Sequence, residues 1–139
     1  MMLNEWEARF EQFVAQALGE TTDSDPAHDF AHIRRVVANA RRLAAAEGAD
    51  MTVVLPAAWL HDCVIVPKHS PQRAHASRLA AERAGRYLRD AGYPPDLIPA
   101  IEHAIAAHSF SAGIPPETLE ARVVQDADRL DALGAIGIA

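Results

Sequence analysis

The sequence predicts an all-α domain, on three observations. Apolar residues recur at helical spacing through most of the chain. Ala-rich stretches such as ANARRLAAAEG and ASRLAAERAG favour helix, because alanine loses no side-chain entropy on folding. Between these segments stand Gly, Pro and cap-like Asp or Ser. At 139 residues the chain fits one domain that can bury a real core and is too short for two.

The first helix is expected over residues 3–18, where Trp6, Phe10, Phe13, Val14, Ala17 and Leu18 share one side and Gly19 supplies a stop. Asp25 before Pro26 reads as an N-cap with proline in the first helical position. The second helix follows, with Ile33, Val36, Val37, Ala40, Leu43 and Ala44 as its apolar stripe and Gly48 as its close. A third helix after Asp50 turns Val53, Val54, Ala57, Ala58 and Leu60 inward and ends near His61 and Asp62; Pro56 removes one of its hydrogen bonds and is expected to bend it. Ser70 and Pro71 are read as the start of a fourth helix reaching about Asp90. Gly92 and Pro94-Pro95 separate it from a fifth, roughly 96–109. After SAGIPP the sixth runs through LEARVVQDADRLDALG. The chain shows no internal repeat, low-complexity tract or linker.

The formal net charge of -6 argues against a broad nucleic-acid surface, although arginines cluster at RRVVANARR. Cys63, the one cysteine, cannot form an internal disulfide and reads as a small buried hydrophobe in a reducing compartment. The longest apolar run, VVLPAAWL, is far short of the ~20 residues that span a bilayer. With no basic segment leading an apolar one at the amino terminus, a cytoplasmic protein without membrane partners is expected. The ending GAIGIA is apolar and uncapped, which suggests either a fragment or a last turn that pairs with another subunit in a homodimer.

Chemistry concentrates at three places. His28, Asp29 and His32 open the second helix, where positions i and i+4 share a face. His61 and Asp62 close an apolar helix, where an ionised carboxylate must reach water or meet a cation. Asp126, Asp128 and Asp131 line the last helix. Imidazole and carboxylate together suit manganese, iron, nickel, cobalt or zinc, whereas magnesium and calcium sites are ordinarily all oxygen. Adjacent residues diverge by roughly 100 degrees on a helix, so His61 and Asp62 share an ion most easily at a helix end. Asp128 and Asp131 project to neighbouring faces with Asp126 roughly 160 degrees from Asp128, so periodicity does not choose between the first two.

The phrases HDFAHIRRV, AAWLHDCVIVPK, AIAAHSFS and VVQDADRLDALGAIG, in that order, resemble the HD superfamily of metal-dependent phosphohydrolases, and within it the small stand-alone bacterial hydrolases. The similarity runs from about His28 to the last residue and implies a helical bundle of about six helices. It makes residues 1–139 one HD domain, truncated at its C-terminal end relative to family members. It also implies one divalent metal (manganese, nickel, cobalt, iron, zinc or magnesium) held by His32, His61, Asp62 and Asp128. The family phrase selects Asp128; Asp131 then falls to a supporting or capping role and Asp126 to a solvated face.

Four protein ligands in an octahedral shell leave two positions for water and substrate oxygen. The implied activity is hydrolysis of a phosphate ester or anhydride in a small nucleotide-like substrate by a metal-activated water. Lys68, Arg73 and Arg35 are placed to supply positive charge around phosphate oxygens, and His103 and His108 to donate hydrogen bonds to phosphate or leaving group. Related enzymes carry a glutamate shortly after the doublet; VIVPKH stands here instead, which opens the proton-transfer role to His28 or Asp29. The alternative function is a metal-supported nucleotide-binding or sensing module without turnover.

Overall fold

A helix apolar on every side needs neighbours on every side, and the segment AAWL and its forerunners have them. In the computed structural model, which describes residues 1–20, 25–66, 70–109 and 112–135 apart from the side chains of Pro26, His28, Arg73 and Ala135, six α-helices follow in order. They are α1 (Leu3–Gly19), α2 (Pro26–Glu47), α3 (Met51–Leu60), α4 (Ala76–Ala91), α5 (Ile98–Ala106) and α6 (Leu119–Ala135). Short 3₁₀ turns, Arg73–His75 and Pro95–Leu97, lead into α4 and α5.

α3 is the central element. It contacts α1, α2, α4, α5 and α6, and every residue from Val53 to Leu60 is buried, so its sequence shows no polar face. Around it α2 packs on α6 and α4 on α5. The expected stripes are the ones that bury: Phe10, Val14, Ala17 and Leu18 on α1, then Ile33, Val36, Val37, Ala40 and Ala44 on α2. Trp6, Phe13 and Leu43 lie half-buried at the margin of the core.

Asp50 caps α3, its Oδ1 accepting from the Thr52 N–H at 2.9 Å and from the Thr52 hydroxyl at 2.6 Å. Pro56 stands inside this helix and cannot donate to the carbonyl four residues back, which is that of Thr52. The Tyr93 hydroxyl takes the vacant acceptor, donating to Thr52 O at 2.5 Å. A ring from outside the helix thus repairs the bond that proline removes. Gly48 ends α2 at φ 75° and Gly92 follows α4 at φ 85°, conformations that glycine enters without steric cost.

Two helix starts differ from the sequence expectation. Ser70 does not cap a helix at Pro71: its hydroxyl accepts from the Gln72 N–H at 3.1 Å, a side-chain turn that is followed by the 3₁₀ segment before α4 begins at Ala76. The fifth helix is shorter than 96–109, since the Pro95–Leu97 turn precedes it and it ends at Ala106. That early end places His108 in a turn rather than on a helix face. No helix among the described residues is long and apolar enough to cross a membrane. The expectation of a subunit contact at GAIGIA falls mostly on residues 136–139, which lie outside the described ones.

Candidate metal centre

Four chain segments converge at one end of α3. His32 comes from α2, His61 and Asp62 from the end of α3, His108 from the turn after α5, and Asp128 from α6. The terminating helices aim the two deepest rings. Carbonyls in the last turn of a helix lack intrahelical partners. The Ala58 carbonyl accepts from His61 Nδ1–H at 2.6 Å, and that of Ile105 from His108 Nδ1–H at 2.5 Å. Each ring therefore turns its Nε2 the other way, toward the centre.

His32 is oriented from the opposite side. Its Nδ1 donates to Asp131 Oδ2 at 2.5 Å, and its Nε2 lies 3.4 Å from Asp62 Oδ2 and 3.2 Å from Asp128 Oδ1. His61 Nε2 is 3.5 Å from each of the same two oxygens. Ligands held ~2.1 Å from a common ion sit about 3.0–3.4 Å apart along the edges of an octahedron or tetrahedron. The four nitrogen–oxygen pairs thus stand at or just beyond the separations of neighbouring ligands.

The donor set passes a stricter test at His61. Its side chain is wholly enclosed, and its Nε2 has no hydrogen-bond partner. A buried polar atom left unpaired is costly, and this one faces two carboxylates. A cation between them would satisfy all of these groups at once. The groups His32–His61–Asp128 and His61–Asp62–His108 each bring their ligand atoms within 4.8 Å of one another. Asp62 and Asp128 remain 38 % and 30 % exposed, which leaves the carboxylate side open to solvent.

Residues 29–133 match the HD domain family. The chain belongs to that family. Along 122 residues it is 34 % identical to "Uncharacterized protein YpgQ" of Bacillus subtilis (strain 168), a match covering 85 % of this chain and 57 % of that protein's length. The structure is similar to the crystal structure of a predicted HD superfamily hydrolase from an uncultured Thermotogales bacterium, with a TM-score of 0.72 and 31 % identity over 99 % of this chain and 78 % of the other.

Charges within the HD centre are strongly coupled. Hydrogen bonds to Asp128 and then Asp62 outweigh the cost of burial and push His32 up to about 11 in the metal-free protein. Burial alone would lower His61, but the carboxylates of Asp62 and Asp128 raise it. Burial also opposes the ionised forms of Asp62 and Asp128, yet the neighbouring histidines hold both well below the usual carboxylate range. His108 is moved the other way, lowered by its burial and by the nearby His61. Burial pushes the Cys63 thiol up to about 12, consistent with a packing role beside the doublet.

The remaining expected site residues divide. Arg35 was expected at phosphate, but its Nε donates to Asp131 Oδ1 at 2.5 Å and its Nη2 to Oδ2 at 3.3 Å. Its guanidinium is thereby tied to the residue that orients His32. His108 faces the centre, its Nε2 3.8 Å from Asp62 Oδ1, but with Nδ1–H given to Ile105 the neutral ring offers an acceptor there and not the expected donor. His103 lies outside both potential ligand groups; its Nε2 accepts from the Glu117 N–H at 3.0 Å and so anchors the chain entering α6.

Lys68 lies outside the described residues, as do the side chains of Arg73 and His28. Asp29, one turn before His32, keeps a buried Oδ2 without a hydrogen-bond partner, in the first turn of α2 where the helix dipole favours its charge. Asp126 is exposed. Two supporting groups had no sequence signal strong enough to single them out. Arg83 Nη1 donates to the Cys63 carbonyl at 3.3 Å, and Asn39 Nδ2 to the Ala127 carbonyl, also at 3.3 Å, so each secures backbone beside a candidate ligand.

Proposed function

We propose that this HD domain is a metal-dependent phosphohydrolase acting on a phosphate ester or anhydride of a small nucleotide-like substrate. The observation that carries the reading is His61 Nε2, buried and unpartnered opposite the oxygens of Asp62 and Asp128. His32, His61, Asp62 and Asp128 would hold one divalent ion. Their mixed nitrogen and oxygen character suits manganese, iron, cobalt, nickel or zinc better than magnesium. When bound, such an ion polarises a phosphoryl oxygen and lowers the pKa of water at its open positions.

The chain's own groups supply the rest. His108, with its proton held on Nδ1 by Ile105, offers Nε2 as an acceptor for the proton that an attacking water must lose. This fills the role that a glutamate after the doublet would otherwise take. Asp62 lies beside it and keeps the ring within the centre's field. Lys68 and Arg73, on the segment following the doublet, are the cations offered to the substrate's remaining phosphate charge. The HD match, the similarity to a predicted hydrolase and the open carboxylate side support this assignment.

The test is a product assay over nucleoside mono-, di- and triphosphates with each divalent metal added in turn. Orthophosphate release identifies a phosphatase, and pyrophosphate release identifies a pyrophosphohydrolase. Binding with thermal stabilisation but no product across the panel would replace hydrolysis with a sensing role. If His61→Ala and Asp62→Ala leave both metal content and phosphate release unchanged, the metal-centred reading is wrong.

A further inference from the structure

The residues that could ligate a metal do not account for Asp131. Its side chain is only 10 % exposed, yet it is not in either group that could hold an ion. It receives three hydrogen bonds: His32 Nδ1 and Arg35 Nη2 on Oδ2, and Arg35 Nε on Oδ1. The spacing is matched on two packed helices. Arg35 is three residues beyond His32 on α2, and Asp131 is three beyond Asp128 on α6, so each candidate ligand carries its supporter one turn along the same face.

We propose that Asp131 is a positioning residue that holds the His32 proton on Nδ1, and that Arg35 keeps Asp131 in place to do so. An imidazole can ligate through Nε2 only when that nitrogen carries a lone pair, which requires the proton of the neutral ring to be on Nδ1. Asp131 has oxygen at both positions and can only accept, so the ring meets an acceptor whichever way the carboxylate turns. Arg35 is half-exposed and bridges both oxygens, which fixes the carboxylate against rotation. His61 and His108 obtain the same tautomer from backbone carbonyls. His32 lies in the interior of α2, where the backbone carbonyls serve the helix, and must therefore obtain it from a side chain.

This inference rests on the metal-centred reading above, and the experiment separates the two. Asparagine at 131 keeps the shape but has one oxygen and one NH₂. If Arg35 holds the oxygen, the NH₂ faces His32 Nδ1 and forces the proton onto Nε2, the nitrogen that should ligate. Zn²⁺ affinity is measured by competition with a chromophoric chelator for the wild type, Asp131→Asn, Asp131→Ala, Arg35→Ala and the double variant Arg35→Ala/Asp131→Asn. Far-UV circular dichroism confirms that each is folded.

The expected loss for Asp131→Asn is about 10–100-fold, with a smaller loss for Arg35→Ala. The double variant should bind no more weakly than Asp131→Asn alone, because removal of Arg35 frees the amide to turn its oxygen toward His32. In the Zn²⁺-loaded wild type, long-range ¹H–¹⁵N spectra should show the His32 proton on Nδ1. Losses that simply multiply in the double variant, or unchanged affinity in Asp131→Asn, overturn the positioning role and leave the metal centre standing. Absence of Zn²⁺ binding by the wild type overturns both.

Discussion

The imidazoles of His61 and His108 meet edge to face, with ring centroids 4.9 Å apart and planes at 84°. Both use the same local device, an Nδ1–H given to the carbonyl three residues earlier at the end of a helix. Helix termination thus orients both rings: carbonyls that no longer have an intrahelical donor become the anchors that turn two Nε2 atoms toward Asp62.

The two rings are expected to differ in what their loss does. His108→Ala should retain the metal and lower kcat by about 10²-fold or more, as removal of a proton acceptor does. Metal content by inductively coupled plasma mass spectrometry, read beside kcat, decides the matter. Simultaneous loss of the ion would make His108 a ligand and not the proton acceptor.

His61→Ala should lose the ion itself. A ligand present at about 1,000 times its Kd stabilises the folded state by about 4 kcal/mol, so chelation with EDTA should lower the Tm of the wild type clearly. The same treatment should leave the Tm of His61→Ala unchanged. A wild-type melting curve indifferent to both chelator and added Mn²⁺ would contradict the metal centre.

Metal affinity should rise with pH. In the metal-free protein His32 is pushed up to about 11, so it carries a proton at neutral pH, and an ion taking Nε2 must displace it. The metal-free state binds more protons than the loaded state, so binding strengthens as pH rises and weakens in acid. Calorimetric titration in buffers of different ionisation enthalpy should show net proton release, and zero release would count against it. For the metal-free fold the signs are opposite at the two ends. The raised His32 contributes stability that is full below its unfolded pKa of about 6.5 and lost as pH rises through about 11. The depressed Asp62 and Asp128 contribute stability present above the ordinary carboxylate range and lost as pH falls through their lowered values.

Tyr93→Phe should destabilise the fold by about 1–3 kcal/mol, because it leaves the Thr52 carbonyl without its donor. In a Pro56→Ala background the cost should shrink, since the new amide at 56 can donate to that same carbonyl. Urea denaturation of the four proteins forms a double-mutant cycle, and strict additivity would show that hydroxyl and proline are not coupled.

Much was legible along the chain because it depends on residues near one another. Periodicity marked the stripes of α1 and α2, Asp50 and Gly48 marked helix ends, and the order of four phrases marked the HD domain. The start of α4 is not legible in the sequence, because Ser70 can close a turn as readily as cap a helix and the Ser-Pro pair does not distinguish the two. Asp128 and Asp131 could not be ranked by spacing, since the partners of each belong to other helices.

Those assignments required α2 and α6 to be packed together. Only then does Asp131 meet His32 and Arg35 across 99 and 96 residues of sequence, so that the arginine expected at phosphate is tied to the carboxylate that bonds the histidine. Tyr93, between α4 and α5, likewise reaches the carbonyl that Pro56 vacates only once that connection packs on α3. Local spacing dictates where helices run and which way their side chains face; hydrogen bonds and charges between distant segments depend on distances of a few ångströms, and those exist only once the helices are in contact.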